Sequence, residues 1–204
     1  MVNTTFFTII TTALGVTRAL PQLIRLLRTR HARGVSVDTS ATSAFVSAGW
    51  AVYGFWTDQL ALSVASIATT IIFVLITLAT IRFGHQWKEL KIAPIWMTTL
   101  LIFGGIGGPT GLSLALLFSG LIANIPQVRV AYKEKNLTDL SLLMWLIAMT
   151  EGLLWSNYGF INRDLAIFVN SSFSVITSAM IVSLKVVAIL RDTRQKKAFS
   201  IIDK

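Results

Sequence analysis

Two short stretches of this sequence carry side chains suited to holding a polar molecule. Trp50 with Tyr53 and Trp155 with Tyr158 each stand in a Trp-x-x-Tyr-Gly run. An indole stacks on the apolar C–H face of a polyol while nearby polar groups take its hydroxyls. Glu151, Trp155 and Tyr158 fall at i, i+4 and i+7, one face of a helix; Val46, Trp50 and Tyr53 form the matching stripe. Taken singly, a tryptophan near the end of a membrane helix is more commonly an interfacial anchor. Arg18 and Glu151 are opposite charges, each interrupting an apolar run where a charge costs about 2.5–3.5 kcal/mol on insertion scales. Three arrangements answer that cost. The two approach one another, they form a buried ion pair that only fixes packing, or Arg18 holds an anionic group while Glu151 exchanges a proton.

The elements that must position these residues are membrane helices. Of 204 residues, 54% are hydrophobic and 13% charged, and the mean hydropathy is +0.70. Soluble domains carry roughly 25% charge. Seven stretches approach the about 20 residues that cross a bilayer core: near Thr4 to Ile24, Ser40 to Trp56, Leu60 to Ile81, Ile92 to Gly107, Gly111 to Val130, Leu140 to Ile161 and Leu165 to Ile189. The expected fold class is an all-α membrane protein of seven transmembrane helices. No Lys or Arg precedes the first stretch, which reads as a permanent helix rather than a cleaved signal. With no cysteine there are no disulfides or thiolate metal sites. His31 and His85 fall in charged loops, where a solvated surface role is expected.

A net charge of +9 would suit nucleic acid, but its distribution excludes that partner. Arg25, Arg28, Arg30 and Arg33 follow the first stretch; Arg82, Lys88 and Lys91 follow the third; Arg129, Lys133 and Lys135 follow the fifth. Lys185, Arg191, Arg194, Lys196, Lys197 and Lys204 close the chain, leaving only Arg18 and Arg163 elsewhere. By the positive-inside rule the amino terminus lies outside and the carboxyl terminus in the cytoplasm. This is an integral membrane protein, with the plasma membrane as its expected site.

The chain also repeats itself. A shift of 105 positions, as from Pro21 to Pro126, aligns Gln22 with Gln127, Ser36 with Ser141 and Trp50 with Trp155. The same shift superposes Tyr53-Gly54-Phe55 on Tyr158-Gly159-Phe160 and Ser66 on Ser171 without a gap. Helices one to three therefore recur as five to seven, with helix four a spacer that restores the orientation of the second copy. The expected units are 1–84 and 110–190, joined by a linker helix at 85–109 and followed by a basic tail at 191–204. Parallel repeats of this kind commonly bind solute at their interface, near mid-membrane. Pro21 and Pro126 each remove a backbone donor, so each should loosen its helix and act as a hinge. Gln22 and Gln127 either satisfy the freed backbone, line the inner end of a path, or serve as packing glue.

The Pro-Gln pair near the end of a first helix, followed by "LTDLSLLMW", "GLLWSNYGF" and "RDLAIFVNS", resembles the PQ-loop proteins and, among them, the SWEET and SemiSWEET sugar transporters. The resemblance spans nearly the whole chain. It implies two three-helix bundles around a translocation path, with facilitated, alternating-access movement of mono- or disaccharides. It implies a substrate contact at Trp50 and Trp155, and cytoplasmic opening at Pro21, Gln22, Pro126 and Gln127. It also implies an outer gate from Tyr53 and Tyr158, with Asp58, Arg163 and Asp164 beside them. Asp58 and Arg163 are repeat mates, so an ion pair across the outer mouth is geometrically plausible; the alternative is solvated turn charges in short helix connections, worth about 1 kcal/mol or less. The family's third-helix asparagine is replaced here by Ser66 and Ser171, with Asn170 just before the latter, which puts the identity of the solute in question. Other PQ-loop relatives, such as cystinosin, carry amino acids, and the similar KDEL receptors bind peptide tails. No nucleophile, base and orienting group occur together, so enzymatic chemistry is not expected. The expected partners are a small polar solute and the lipid bilayer, with self-association open and no cofactor.

Overall fold

The computed structural model describes residues 4–58, 60–134, 137–163 and 165–202. Those residues are helical throughout apart from their connections, and eight helices make the seven spans. Helix α1 (Thr4–Arg18) and α2 (Leu20–Thr29) are one span broken at Ala19. Pro21 sits in the first turn of α2, where its missing N–H leaves no bond to the turn before it. Then come α3 (Val37–Trp56) and α4 (Leu60–Arg82), followed by a short 3₁₀ turn, Trp87–Glu89. Helix α5 (Ile92–Leu116) bends at Gly108, which has φ 55° and ψ −143°. That left-handed region favours glycine, and the following Pro109 cannot continue the helix before it. The bend brings Gly111 against the carbonyl of Phe103, where a Cβ would stand 2.2 Å from the oxygen. The first limb is thus the fourth span, and the second limb runs with α6 (Ser119–Lys133) as the fifth. Helices α7 (Leu142–Asn162) and α8 (Leu165–Ile202) complete the chain.

The repeat seen in the sequence is visible in the capping. Ser36 Oγ accepts from the Thr39 N–H at 3.1 Å at the start of α3, and its mate Ser141 accepts from Met144 N–H at 3.2 Å at the start of α7. The outer turns match as well: Asp58 and Arg163 are both left-handed, at φ 57°.

Within the first half α4 packs on α3 and on the α1–α2 span; within the second, α8 packs on α7 and α6. The halves meet where α1 touches α7 and α3 touches α6, and α5 lies along α3. Three helical stretches, Leu62–Arg82, Ile92–Leu116 and Leu165–Thr193, are each long and apolar enough to cross a bilayer unaided. Many hydroxyls within the helices, some in the apolar stretches included, are shielded inside. Thr42, Thr77 and Thr80, all buried, donate to carbonyls one turn back, which satisfies their hydroxyls without leaving the helix.

The spacer helix is fixed by one carboxylate. Asp38, buried in the first turn of α3, accepts from Ile92 N–H at 2.9 Å and Ala93 N–H at 2.9 Å, capping the amino end of α5. Asp38→Ala should lower the unfolding free energy in detergent by about 1–3 kcal/mol, since it strips charged acceptors from buried donors. A denaturant midpoint unchanged from the parent would show that this cap carries no weight.

Candidate functional site

The two halves enclose a cavity of about 670 Å³, inside the roughly 300–1,000 Å³ typical of small-molecule sites. Its wall on α7 runs from Tyr158 to Met144, about 21 Å at 1.5 Å per residue. Tyr53, Tyr158 and the exposed Asp58 line its mouth, while Phe73, Trp145 and Ser178 at the far end are buried.

Midway, both sequence-predicted indoles face the same space. Trp50 meets Tyr53 edge-on with centroids 5.7 Å apart, and Trp155 meets Tyr158 edge-on at 5.6 Å. Helical spacing produces each pair, and the duplication supplies the second copy.

Arg18 and Glu151 line the cavity and reach one another across the halves. Arg18 Nη1 donates to Glu151 Oε2 at 3.1 Å, with side-chain exposures of 28% and 12%. The guanidinium lies 5.6 Å above the centre of the Phe73 ring, a cation–π contact. Glu151 also accepts a hydrogen bond from Trp155, one turn away. Gly15 lies close beside the pair: a Cβ there would stand 3.0 Å from Glu151 Oε1.

Ser66, Ser171 and Asn170 all line the cavity, so both positions weighed in the second half face it. The Asn170 side-chain oxygen is already engaged. It accepts from Ser119 Oγ at 2.8 Å and Gly120 N–H at 2.7 Å, closing the break that precedes α6. Only its amide nitrogen remains to offer a solute. Asn124, not singled out from the sequence, also lines the cavity and donates to Thr177 Oγ1 at 2.7 Å. Its repeat mate is Ala19, so the duplication carried no signal for it.

The end of the cavity away from its mouth is closed by the two glutamines, neither of which serves the backbone of its own helix. Gln22 donates to the carbonyl of Asp139 at 3.1 Å and accepts from Ser141 N–H at 2.8 Å. Gln127 donates to the carbonyl of Gly34 at 2.7 Å and accepts from Ser36 N–H at 2.8 Å. Each half therefore grips the loop of the other, at positions related by the same 105 shift. The prolines are less alike: the first span breaks beside Pro21, whereas α6 continues through the buried Pro126 and its break lies earlier, at Leu117–Phe118.

Around these loops the cations are partly occupied. Arg25 donates to the carbonyl of Thr138 and Lys185 to that of Leu137, while Asp139 Oδ2 accepts from the backbone N–H of Arg33 at 3.2 Å. On the other loop His85 is not simply solvated. Its Nδ1 lies 2.6 Å from Glu89 Oε2 and its Nε2 3.2 Å from the Ala32 carbonyl, because the 3₁₀ turn folds Glu89 back over the ring. Burial alone would push the Glu89 carboxyl up; hydrogen bonds from His85 and the Gln86 backbone, with the charges of His85 and Lys88, outweigh it and hold the group below its usual range. His31 is exposed.

The expected ion pair across the outer mouth is not formed. Asp58 lines the open mouth and Arg163 is exposed, with no salt bridge between them. Asp164, the third residue of that expected gate, lies outside the described residues.

A family model for the PQ loop repeat matches residues 109–168, which hold the second Pro-Gln pair and the second Trp-x-x-Tyr-Gly run. No curated protein sequence matches the chain. Among solved structures the chain is similar to a eukaryotic SWEET transporter determined at 3.7 Å resolution. The likeness covers 90% of this chain and 97% of that one, with a TM-score of 0.56 and 13% identity.

Proposed function

We propose that this membrane transporter of the PQ-loop/SWEET type carries a mono- or disaccharide through the central cavity, by facilitated alternating access of its two halves. The carrying observation is the pair of Trp–Tyr edges facing one cavity from opposite halves. Two indoles supply apolar platforms for a ring, and Glu151, Ser66, Ser171 and the Asn170 amide supply partners for hydroxyls. The units are the triplets within 1–84 and 110–190, rocking about the broken first span and the Pro126 region. With the cavity mouth outside and the crossed glutamines inside, the amino terminus lies outside and the basic loops in the cytoplasm of a cell bounded by its plasma membrane. Closure over the solute brings Tyr53, Tyr158, Asp58 and Arg163 together, and Asp164 is the further residue assigned to that gate.

Uptake of a panel of labelled sugars into proteoliposomes tests this reading. Trp50→Ala and Trp155→Ala should each reduce uptake by about thirtyfold or more, the effect of losing about 2 kcal/mol of contact at an aromatic anchor. Full uptake by both variants would return the indoles to interface anchoring. The Arg18–Glu151 contact favours a second reading, a proton-coupled carrier of amino acids or carboxylates. Uptake that requires an inward proton gradient, and loses that requirement in Glu151→Gln, would replace the sugar reading with it.

A further inference from the structure

Below the cavity lies a gap of about 20 Å³ between the two glutamine grips, bordered by Gln22, Ser36 and Gln127. Among the described residues three side chains line both spaces: Phe73, Met144 and Trp145. All three are buried, at 2%, 6% and 3% exposure, and they share one apolar cluster. They are the partition between the solute space and the inner gate.

The repeat gives this partition an unusual composition. At a shift of 105, Phe73 pairs with Ser178, Met144 with Thr39 and Trp145 with Ser40. Every large side chain of the partition has a small hydroxyl residue as its mate. Near a twofold axis a residue packs toward its own mate, so two large side chains would clash and two small ones would leave a hole. One large side chain opposite one small one fills the axis. The mates lie in the same place: Thr39 and Ser40 border the small gap, and Ser178 the deep end of the cavity.

We propose that the path is closed on its inner side by an asymmetric plug, in which Phe73, Met144 and above all Trp145 fill the axis opposite Ser178, Thr39 and Ser40. This rests on the reading of the cavity as a transport path. The plug holds by shape. Trp145 Nε1, Thr39 Oγ1 and Ser178 Oγ are buried without a hydrogen-bond partner, and unpaired buried polar groups favour any state that lets water reach them. The glutamine grips keep the plug shut, and the unpaired groups ease its withdrawal. Most of the bulk comes from the second half, so the two halves contribute unequally to the gate although their folds match.

The cysteine-free chain allows a direct test. Ser43 is buried and lines the cavity, so Ser43→Cys in proteoliposomes reports access of a membrane-impermeant thiol reagent applied from the inner side. Trp145→Ser should raise that labelling rate by about tenfold or more, since the rate follows the population of the opened state. Trp145→Phe, which keeps the bulk and loses the unpaired N–H, should label at the parent rate or more slowly. Adding Ser40→Trp to Trp145→Ser should restore slow labelling by moving the bulk to the other half. If Trp145→Ser does not assemble, Met144→Thr carries the same expectation. Unchanged labelling in the serine or threonine variant, or equal acceleration by Trp145→Phe, would overturn the plug. The assay needs no solute, so its outcome is separate from any failure to find transported sugar.

Discussion

Arg18→Met alone should destabilise the assembled protein by about 3–5 kcal/mol, because it strands Glu151 as an uncompensated charge in a wall where the side chain is only 12% exposed. Glu151→Leu should do the same to Arg18, which retains only the Phe73 ring beneath it. The paired variant Arg18→Met with Glu151→Leu should recover most of the loss, since an apolar pair of similar volume replaces an ion pair at little net cost. Unfolding in detergent across the four proteins gives the coupling between the two sites, expected to exceed about 3 kcal/mol because two losses of about 3–5 kcal/mol each are largely cancelled in the pair. A coupling near zero would mean that the 3.1 Å contact is incidental. Uptake by the double variant then separates the roles. Retained transport assigns the pair to packing, and lost transport in an assembled protein assigns it to solute or proton handling.

The second large effect concerns the crossed glutamines. Gln22→Leu leaves the Asp139 carbonyl and the Ser141 N–H without partners in a closed interface where Gln22 itself is 2% exposed. Each stranded group costs about 1–3 kcal/mol, so the inner closure should weaken by about 2 kcal/mol or more. The pattern is more diagnostic than the size. Gln22→Leu should accelerate amide hydrogen exchange at Ser141 in the second half and spare Ser36. Gln127→Leu should accelerate exchange at Ser36 and spare Ser141. Deprotection confined to the mutated half's own loop would refute the crossed arrangement. On the transport reading proposed above, either variant should lose the tight closure at the glutamine end, so solute loaded into vesicles should leak.

These effects indicate how the molecule balances closure and release. The inner gate has four buried hydrogen bonds from the glutamines, a packed apolar plug, and several polar groups left unpaired within it. The outer end has two aromatic edges and no salt bridge between Asp58 and Arg163. The structure is thus closed at the glutamine end of the cavity and open at the Tyr53–Tyr158 end. The Arg18–Glu151 contact ties the halves between those two ends.

The span boundaries were legible because transfer of apolar side chains into lipid depends on local composition alone. The division of the bent α5 at Gly108 falls where the sequence passes from Gly107 to Gly111 with Pro109 between them. The Trp-x-x-Tyr stripes were legible because helical periodicity converts a spacing of three into shared direction, and the repeat converts one stripe into two. The glutamines were visible as a repeated pair but not as a crossed one. Nothing local distinguishes an amide that serves its own helix from one that reaches Ser141, more than a hundred residues away. Asp38 was missed for the same reason, since its partners at Ile92 and Ala93 are over fifty residues on.

Periodicity, hydropathy and the 105-residue echo thus settle on their own that this chain is a duplicated bundle of membrane helices with paired aromatic faces, because each of those signals is carried by neighbours along the chain. Which half grips which loop, and that Arg18 meets Glu151, were decided by three-dimensional packing. Such contacts depend on how rigid helices are set against one another, and that relative placement has no counterpart in the order of residues within any one of them.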